Sequence, residues 1–305
     1  MGFRFQKGDD KIAEYLAEYR ILTVTQLAAL LQKNRPALRK RLRDLKKERL
    51  VKVTNNGFGR NFGRPEELLG LSEEGVDTLR EKNLIGKDVP YESVGPVSTR
   101  LNDHQLLMNW FRIHLNQVER VLPKLNFRFL AYNSPFVPRE PDGRIITTDY
   151  SPIGRRTVRQ IKFTPDAVIG STYAVTQRSV LYFLEVDCGT ETLSSPQRDM
   201  SDIRQKILNY QWYFQSLKYK RYEDIFDIPY LQGFHLLFLT RTTGRLAALC
   251  KLIQEMQPSN FIWATELDRI FPDGVSGKIW ARGGNLQVMQ GSMIGSLCCR
   301  ASLAS

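Results

Sequence analysis

The stretch "YFLEVDCGTE", Tyr182 to Glu191, ends an apolar run on an acid, a Val, a second acid and a Gly. Residues two apart on a strand share a face, so Glu185 and Asp187 would lie side by side. Two unpartnered carboxylates placed that way repel each other and resist burial. The pattern therefore requires a positive group between or beside them.

Upstream, "QIKFTPDAVIG" (160–170) is a second apolar run, separated from the first by the polar "STYAVTQRS" (171–179). The midpoint between Asp166 and Glu185 falls in that turn. If the two runs pair as a hairpin, the two acids meet across the strands and Asp187 makes a trio. Downstream, "SSPQRDMSDIRQKILNYQWYFQSLKY" (194–219) predicts a helix buried on Ile203, Ile207, Tyr210 and Phe214, with Lys206 and Tyr210 one turn apart. A strand "GFHLLFLTR" (233–241) and a helix "RLAALCKLIQEM" (245–256) follow. "FIWATELDRI" (261–270) and "GKIWARGG" (277–284) add one more strand or edge. With "FRFLAYN" (127–133) as a first strand and "VPREPDGRIITTDYSPIGRR" (137–156) as a polar insertion, residues 123–285 form an α/β domain. Residues 286–305, rich in small side chains, are expected to be a loose tail.

The first third reads differently. "DDKIAEYLAEYR" (9–20) spaces Ile12, Tyr15, Leu16 and Tyr19 at helical intervals. "TVTQLAALLQ" (23–32) predicts a second helix, with Thr25 as its cap. "NRPALRKRLRDLKKERLVKV" (34–53) starts a third on Asn34 and Pro36. It turns Leu38, Leu42 and Leu45 inward and leaves Arg39, Lys40, Arg43, Lys46 and Lys47 outside. Two strand candidates, "LVKVT" (50–54) and "EELLGLS" (66–72), flank a Gly/Asn turn that carries Arg60 and Arg64. A helix "EEGVDTLREK" (73–82) closes the series. Residues 84–97 read as a linker, and 98–122 as a long amphipathic connecting helix.

Charge is concentrated. The chain of 305 residues has a net charge of +12, and Lys33 to Arg64 hold twelve Lys or Arg against Asp44 and Glu48. Such a patch points to a polyanion, above all nucleic acid. Hydrophobic content of 42% and charged content of 25% are those of a folded soluble protein. No run approaches the roughly 20 apolar residues of a membrane span, so no membrane partner is expected. The four Cys (188, 250, 298, 299) show no disulfide or zinc spacing. The expected location is the cytoplasm, with reduced thiols. No phosphate-loop motif is present, so no nucleotide or organic cofactor is expected.

Three helices followed by a hairpin resemble a winged helix-turn-helix over residues 8–83. In such domains the third helix enters the major groove of double-stranded DNA and the wing touches the backbone. The resemblance makes Arg35, Arg39, Lys40 and Arg43 the readers, joined by Lys46 and Lys47 on the same helix and by Arg60 and Arg64 in the wing. Winged-helix proteins often pair, so a homodimer is expected.

The elements "TPDAVI", "FLEVDCGTE" and "IRQKILNYQWYF", behind "DHQLLMNWF" and a winged helix, resemble the replication-relaxation family of plasmids and other mobile elements. The resemblance spans roughly residues 10–285 and implies a PD-(D/E)XK nuclease-like C-terminal domain, hence an α/β (α+β) chain. It makes Asp166 and Glu185 ligands of Mg²⁺ or Mn²⁺, a cation that would activate water against a phosphodiester. The family pattern puts Lys two residues after the second acid, where this chain has Asp187. Lys206, or Lys162, would then supply the ammonium, with Asp187 an extra ligand or the partner of Lys206. Alternatively the domain binds or dimerises without cutting. The function implied is DNA binding in replication or relaxation control, in the bacterial cytoplasm at the nucleoid or a plasmid; the alternatives are a metal-dependent endonuclease and a transcriptional regulator.

Overall fold

A short acidic helix, α1 (Asp9–Tyr19), leads into a two-residue strand, β1 (Leu22–Thr23), and then α2 (Val24–Leu31) and α3 (Arg35–Lys47). The hairpin strands β2 (Val51–Phe58) and β3 (Glu66–Leu71) follow, then α4 (Glu73–Glu81), α5 (Tyr91–Val94) and the long α6 (Asn102–Val121). These coordinates are a computed structural model that describes residues 5–58, 66–98, 102–152, 160–194, 202–287, 291–297, 299 and 301. Arg60 and Arg64, expected in the wing, lie outside the described residues. The chain divides into two units within α6: residues 1–113 with 133–136, and 114–132 with 137–305.

In the first unit the sheet order is β1-β3-β2, with Leu22 opposite Leu69 and Val51 opposite Leu71. Helix, strand, helix, helix and hairpin, closed by a three-stranded sheet, make this unit a winged helix-turn-helix. Local chemistry sets its boundaries. Thr23, not Thr25, caps α2: its hydroxyl accepts from Gln26 N, and Gln26 returns the bond to Thr23 N, a capping box. Thr25 instead donates to Glu66. Asn34 caps α3 by accepting from Ala37 N, and Ser72 caps α4 by accepting from Gly75 N.

Residues 84–97 are not a loose linker. Val94 is fully buried, the Tyr91 hydroxyl donates to Leu71 O at 3.2 Å, and Arg20 donates to the carbonyls of Gly95 and Glu92. The start of α6 joins the same unit through buried amides: Asn109 Nδ2 donates to Ile21 O at 2.6 Å, and Gln26 Nε2 donates to Leu106 O at 2.9 Å.

The second unit contains β4 (Leu125–Ala131), β5 (Asp149–Pro152), β6 (Gln160–Phe163), β7 (Ala167–Tyr173), β8 (Arg178–Asp187), α7 (Ile203–Ser216) and α8 (Arg221–Phe226). It continues with β9 (Phe234–Thr240), α9 (Thr243–Glu255), β10 (Ile262–Glu266), α10 (Leu267–Asp273) and β11 (Ala281–Arg282). Six strands form one sheet, ordered β11-β10-β9-β8-β7-β4. β4, β7 and β8 form an antiparallel meander; β8, β9 and β10 run parallel. Helices α7 and α8 lie between β8 and β9 in the chain, and α9 between β9 and β10, as parallel pairs require a crossover.

"QIKFTPDAVIG" is two strands rather than one. β6 pairs with β5 in a separate two-stranded sheet, and only β7 joins the main sheet. Pro165 lies between them and has no N–H to give a ladder. Phe183, Leu236, Phe238 and Ile262 form one face of the main sheet and pack with Ile207, Tyr210, Tyr213 and Leu249 of α7 and α9. The expected loose tail is partly packed: Met293 and Ala301 are buried, Gly291 bridges to Trp280, and the Tyr182 hydroxyl donates to Met293 O. Among the described residues, no helix is long and apolar enough to cross a membrane.

Candidate nucleic-acid interface and acidic site

Helix α3 separates its cations into two groups. Leu38, Leu42 and Leu45 are buried. Arg41 is tied to Asp9, with Nε 2.9 Å from Oδ1, and to Asp44 at 3.4 Å. Lys46 is paired with Glu67. Arg35, Arg39, Lys40, Arg43 and Lys47 are exposed and form no ion pair among the described residues. Arg35, Arg39, Arg43 and Lys47 are each four residues apart, so they line one face over about 18 Å of helix. Like charges at that spacing disfavour an isolated helix. A row of unpaired cations held on a capped, core-packed helix is an arrangement for an external polyanion. Of the expected readers on α3, the structure leaves all but Lys46 open.

In the second unit, Asp166, Glu185, Asp187 and Lys206 gather at the carboxyl end of β8. The hairpin register expected from the sequence is present, with Ala167 opposite Leu184, which puts Asp166 beside Glu185. Asp166 Oδ2 accepts from Val186 N at 2.7 Å. Glu185 is buried; its Oε1 accepts from the Tyr210 hydroxyl at 2.6 Å and its Oε2 from Lys206 Nζ at 3.1 Å. Lys206 also donates to Glu191 Oε1 at 2.9 Å. Asp202 caps α7, and the one-turn spacing of Lys206 and Tyr210 aims both donors at a single carboxylate.

Asp187 shares the face but has a different partner. Arg245 sets a fork on it, Nε to Oδ2 at 2.6 Å and Nη2 to Oδ1 at 3.2 Å, and Gly189 N adds a bond to Oδ1 at 2.8 Å. The pairing of Asp187 with Lys206 is therefore not what forms, and Lys162 is exposed on β6 in the other sheet. Arg245, in the first turn of α9, was missed by the sequence reading. Its one signal is position: β9 runs parallel beside β8, so the helix that follows β9 starts next to Asp187. Burial pushes the Glu185 carboxyl up, to about 7, with Lys206 pulling it down and Asp166 pushing it further up. Glu185, Glu191 and Asp166 together hold the Lys206 ammonium above its usual range despite burial.

Residues 14–228 match the family described as Replication-relaxation. The chain belongs to the replication-relaxation family. The matched region includes Asp166, Glu185, Asp187 and Lys206 and ends before Arg245. No curated protein matches this replication-relaxation chain. Solved structures similar to part of it include Lactococcus lactis ZitR, wild type in complex with DNA, at 19% identity over 40% of this chain and 74% of that one, with a TM-score of 0.23. A MepR mutant from a multidrug-resistant S. aureus clinical isolate is 19% identical over 39% of this chain and 81% of that one, with a TM-score of 0.24.

The replication-relaxation protein can be tested against the divalent ion that a nuclease-like domain implies. Mg²⁺ demands near-octahedral oxygen ligands at about 2.1 Å and gives up water reluctantly. Both Glu185 oxygens already accept from Tyr210 and Lys206, and both Asp187 oxygens from Arg245 and Gly189. Among the described residues, no three His, Cys, Asp or Glu side chains are grouped to hold a metal. As held here, the oxygens of Glu185 and Asp187 face protein donors, and a divalent cation would have to share them with Lys206 and Arg245. The positive charge that the two acids of "LEVDC" require is built in, as Lys206 on one and Arg245 on the other.

Proposed function

We propose that this replication-relaxation protein binds double-stranded DNA through α3 and acts in replication or relaxation control of a plasmid or other mobile element. One observation supports the reading above the rest: Arg35, Arg39, Lys40, Arg43 and Lys47 stand exposed, with no ion pair among the described residues, on a helix whose other cations are neutralised at home. Phosphate contacts from such a row release counterions, and its Arg forks match guanine edges. The second unit is read as a nuclease-like scaffold whose acidic end is held by Lys206 and Arg245 and which binds rather than cuts. Metal-dependent cleavage is the alternative, favoured by the convergence of Asp166, Glu185 and Lys206.

Incubation with supercoiled plasmid, with and without Mg²⁺ or Mn²⁺, separates the two. Retarded but intact plasmid is expected. Metal-dependent nicking that disappears in Asp166→Ala and Glu185→Ala would establish the endonuclease instead. No retardation at low salt would refute DNA binding.

A further inference from the structure

The second unit has another face, on the side of its sheet away from Phe183 and α7. There the alternation of the strands lines up Tyr182 of β8, His235 of β9, Trp263 of β10 and Arg282 of β11. Tyr182 is opposite His235, and Trp263 is opposite Arg282. The Tyr182 and His235 rings stack at 5.8 Å, the His235 and Trp263 rings lie 4.3 Å apart, and the Arg282 guanidinium sits 5.0 Å from the Trp263 ring centre. This ladder lines a cavity of about 610 Å³. Arg178 and Lys278, both exposed, line it as well, and residues 292–297 bound it, fastened by the bond from Tyr182 to Met293 O and by Ser292 Oγ donating to Ser276 O at 2.6 Å. No acidic residue is among the described side chains that line it.

Two chemistries meet in this cavity. Tyr182 and Trp263 are buried against their neighbours, so the half-buried His235 and the edge of Trp263 are what the ladder offers a flat ring, while the cations lining the cavity favour a phosphate. The volume lies within the roughly 300–1,000 Å³ of small-molecule sites. We propose that the cavity binds a nucleoside phosphate, its base laid against the open edge of the His235–Trp263 pair and its phosphate held by Lys278 and Arg282 at the β11 end. Burial and the nearby Arg282 lower His235 to about 4, so at neutral pH it offers an uncharged ring. A free nucleotide and the 5′-phosphorylated end of a DNA strand present the same chemistry. The site shares no residue with the α3 surface, so either reading can fail alone. The missing phosphate-loop motif does not bear on it, because this ladder is assembled from four strands distant in sequence.

The test is titration of the full chain with dATP, followed by calorimetry, alongside inorganic phosphate and short oligonucleotides with a 5′-phosphate or a 5′-hydroxyl. Saturable dATP binding is expected, with inorganic phosphate at least tenfold weaker because it lacks the ring. Lys278→Ala should weaken dATP about tenfold, as expected for a bond to a charged group, Arg178→Ala, at the far end of the cavity, should weaken it less, and both should leave retardation of duplex DNA unchanged. Displacement of dATP by the phosphorylated oligonucleotide but not the hydroxyl one would identify a strand end as the source. Lack of displacement would identify the free nucleotide. No saturable signal at millimolar dATP or phosphorylated oligonucleotide, or dATP affinity in Lys278→Ala equal to that of the unaltered protein, would overturn the proposal.

Discussion

Replacing Lys206 with Met removes the ammonium from Glu185 while keeping a long apolar side chain on α7. In the native protein Glu185 is buried, with its carboxyl raised to about 7 from an ordinary 4.5. A raised carboxyl keeps its proton in the folded chain where the unfolded chain has lost it, so stability falls as pH rises from about 4.5 to 7. Above 7 the native carboxyl ionises against Lys206 and that loss stops. In Lys206→Met nothing offsets burial and the repulsion of Asp166, so the carboxyl holds its proton to higher pH and the loss continues. The difference between wild type and variant should therefore be flat below pH 6, at about 1 kcal/mol for the lost hydrogen bonds. It should grow by about 1.4 kcal/mol per pH unit above 7, reaching about 3 kcal/mol at pH 8.5. Urea unfolding at fixed ionic strength across pH 5.5–8.5 measures it, and taking the difference cancels His114 and His235. A pH-independent difference would refute the assignment of Lys206 as the counter-charge of Glu185.

Other consequences follow from packing and burial. A Cβ at Gly75 would lie 2.2 Å from the Leu50 carbonyl oxygen, so Gly75→Ala must shift α4 from the hairpin and should cost about 1–3 kcal/mol in thermal unfolding. Gly244 has nothing within 4 Å of its Cβ position, so Gly244→Ala should be neutral or stabilise α9 by up to about 1 kcal/mol; loss of stability there would contradict the packing described. His114 is fully buried beside Phe271, and burial lowers it to about 4. The unfolded chain takes up a proton below about 6.5 that the folded chain refuses, so this residue loses stability as pH falls from 6.5 to 4. His114→Phe should reduce that acid loss by up to about 3 kcal/mol, and parallel pH curves for variant and wild type would contradict it.

What was legible in the sequence was local. The Leu38, Leu42 and Leu45 period fixed the inner face of α3 and hence which cations stand outside. The polar turn between two apolar runs fixed the β7–β8 register, and with it the approach of Asp166 to Glu185. One helical turn between Lys206 and Tyr210 placed both on the same carboxylate. What escaped depends on order in space rather than along the chain. Arg245 reaches Asp187 only because β9 lies parallel beside β8, a pairing that no local period announces. The ladder from Tyr182 to Arg282 needs four strands in register. The packing of residues 84–97 rests on single long-range bonds such as Arg20 to Gly95 O, which a Gly- and Pro-containing segment does not advertise. Thr25 was a fair cap candidate by type, but Thr23 has Gln26 three residues on and completes the reciprocal pair.

The salt dependence of affinity for a short DNA duplex tests the central claim most directly. Each phosphate neutralised contributes a slope of about −0.9 in log K against log salt, so the five open cations of α3 supply up to about −4.5. The triple variant Arg39→Ala, Lys40→Ala, Arg43→Ala should bind more weakly, with a slope shallower by about 2.7. An unchanged slope and affinity in that variant would contradict α3 as the DNA-binding surface.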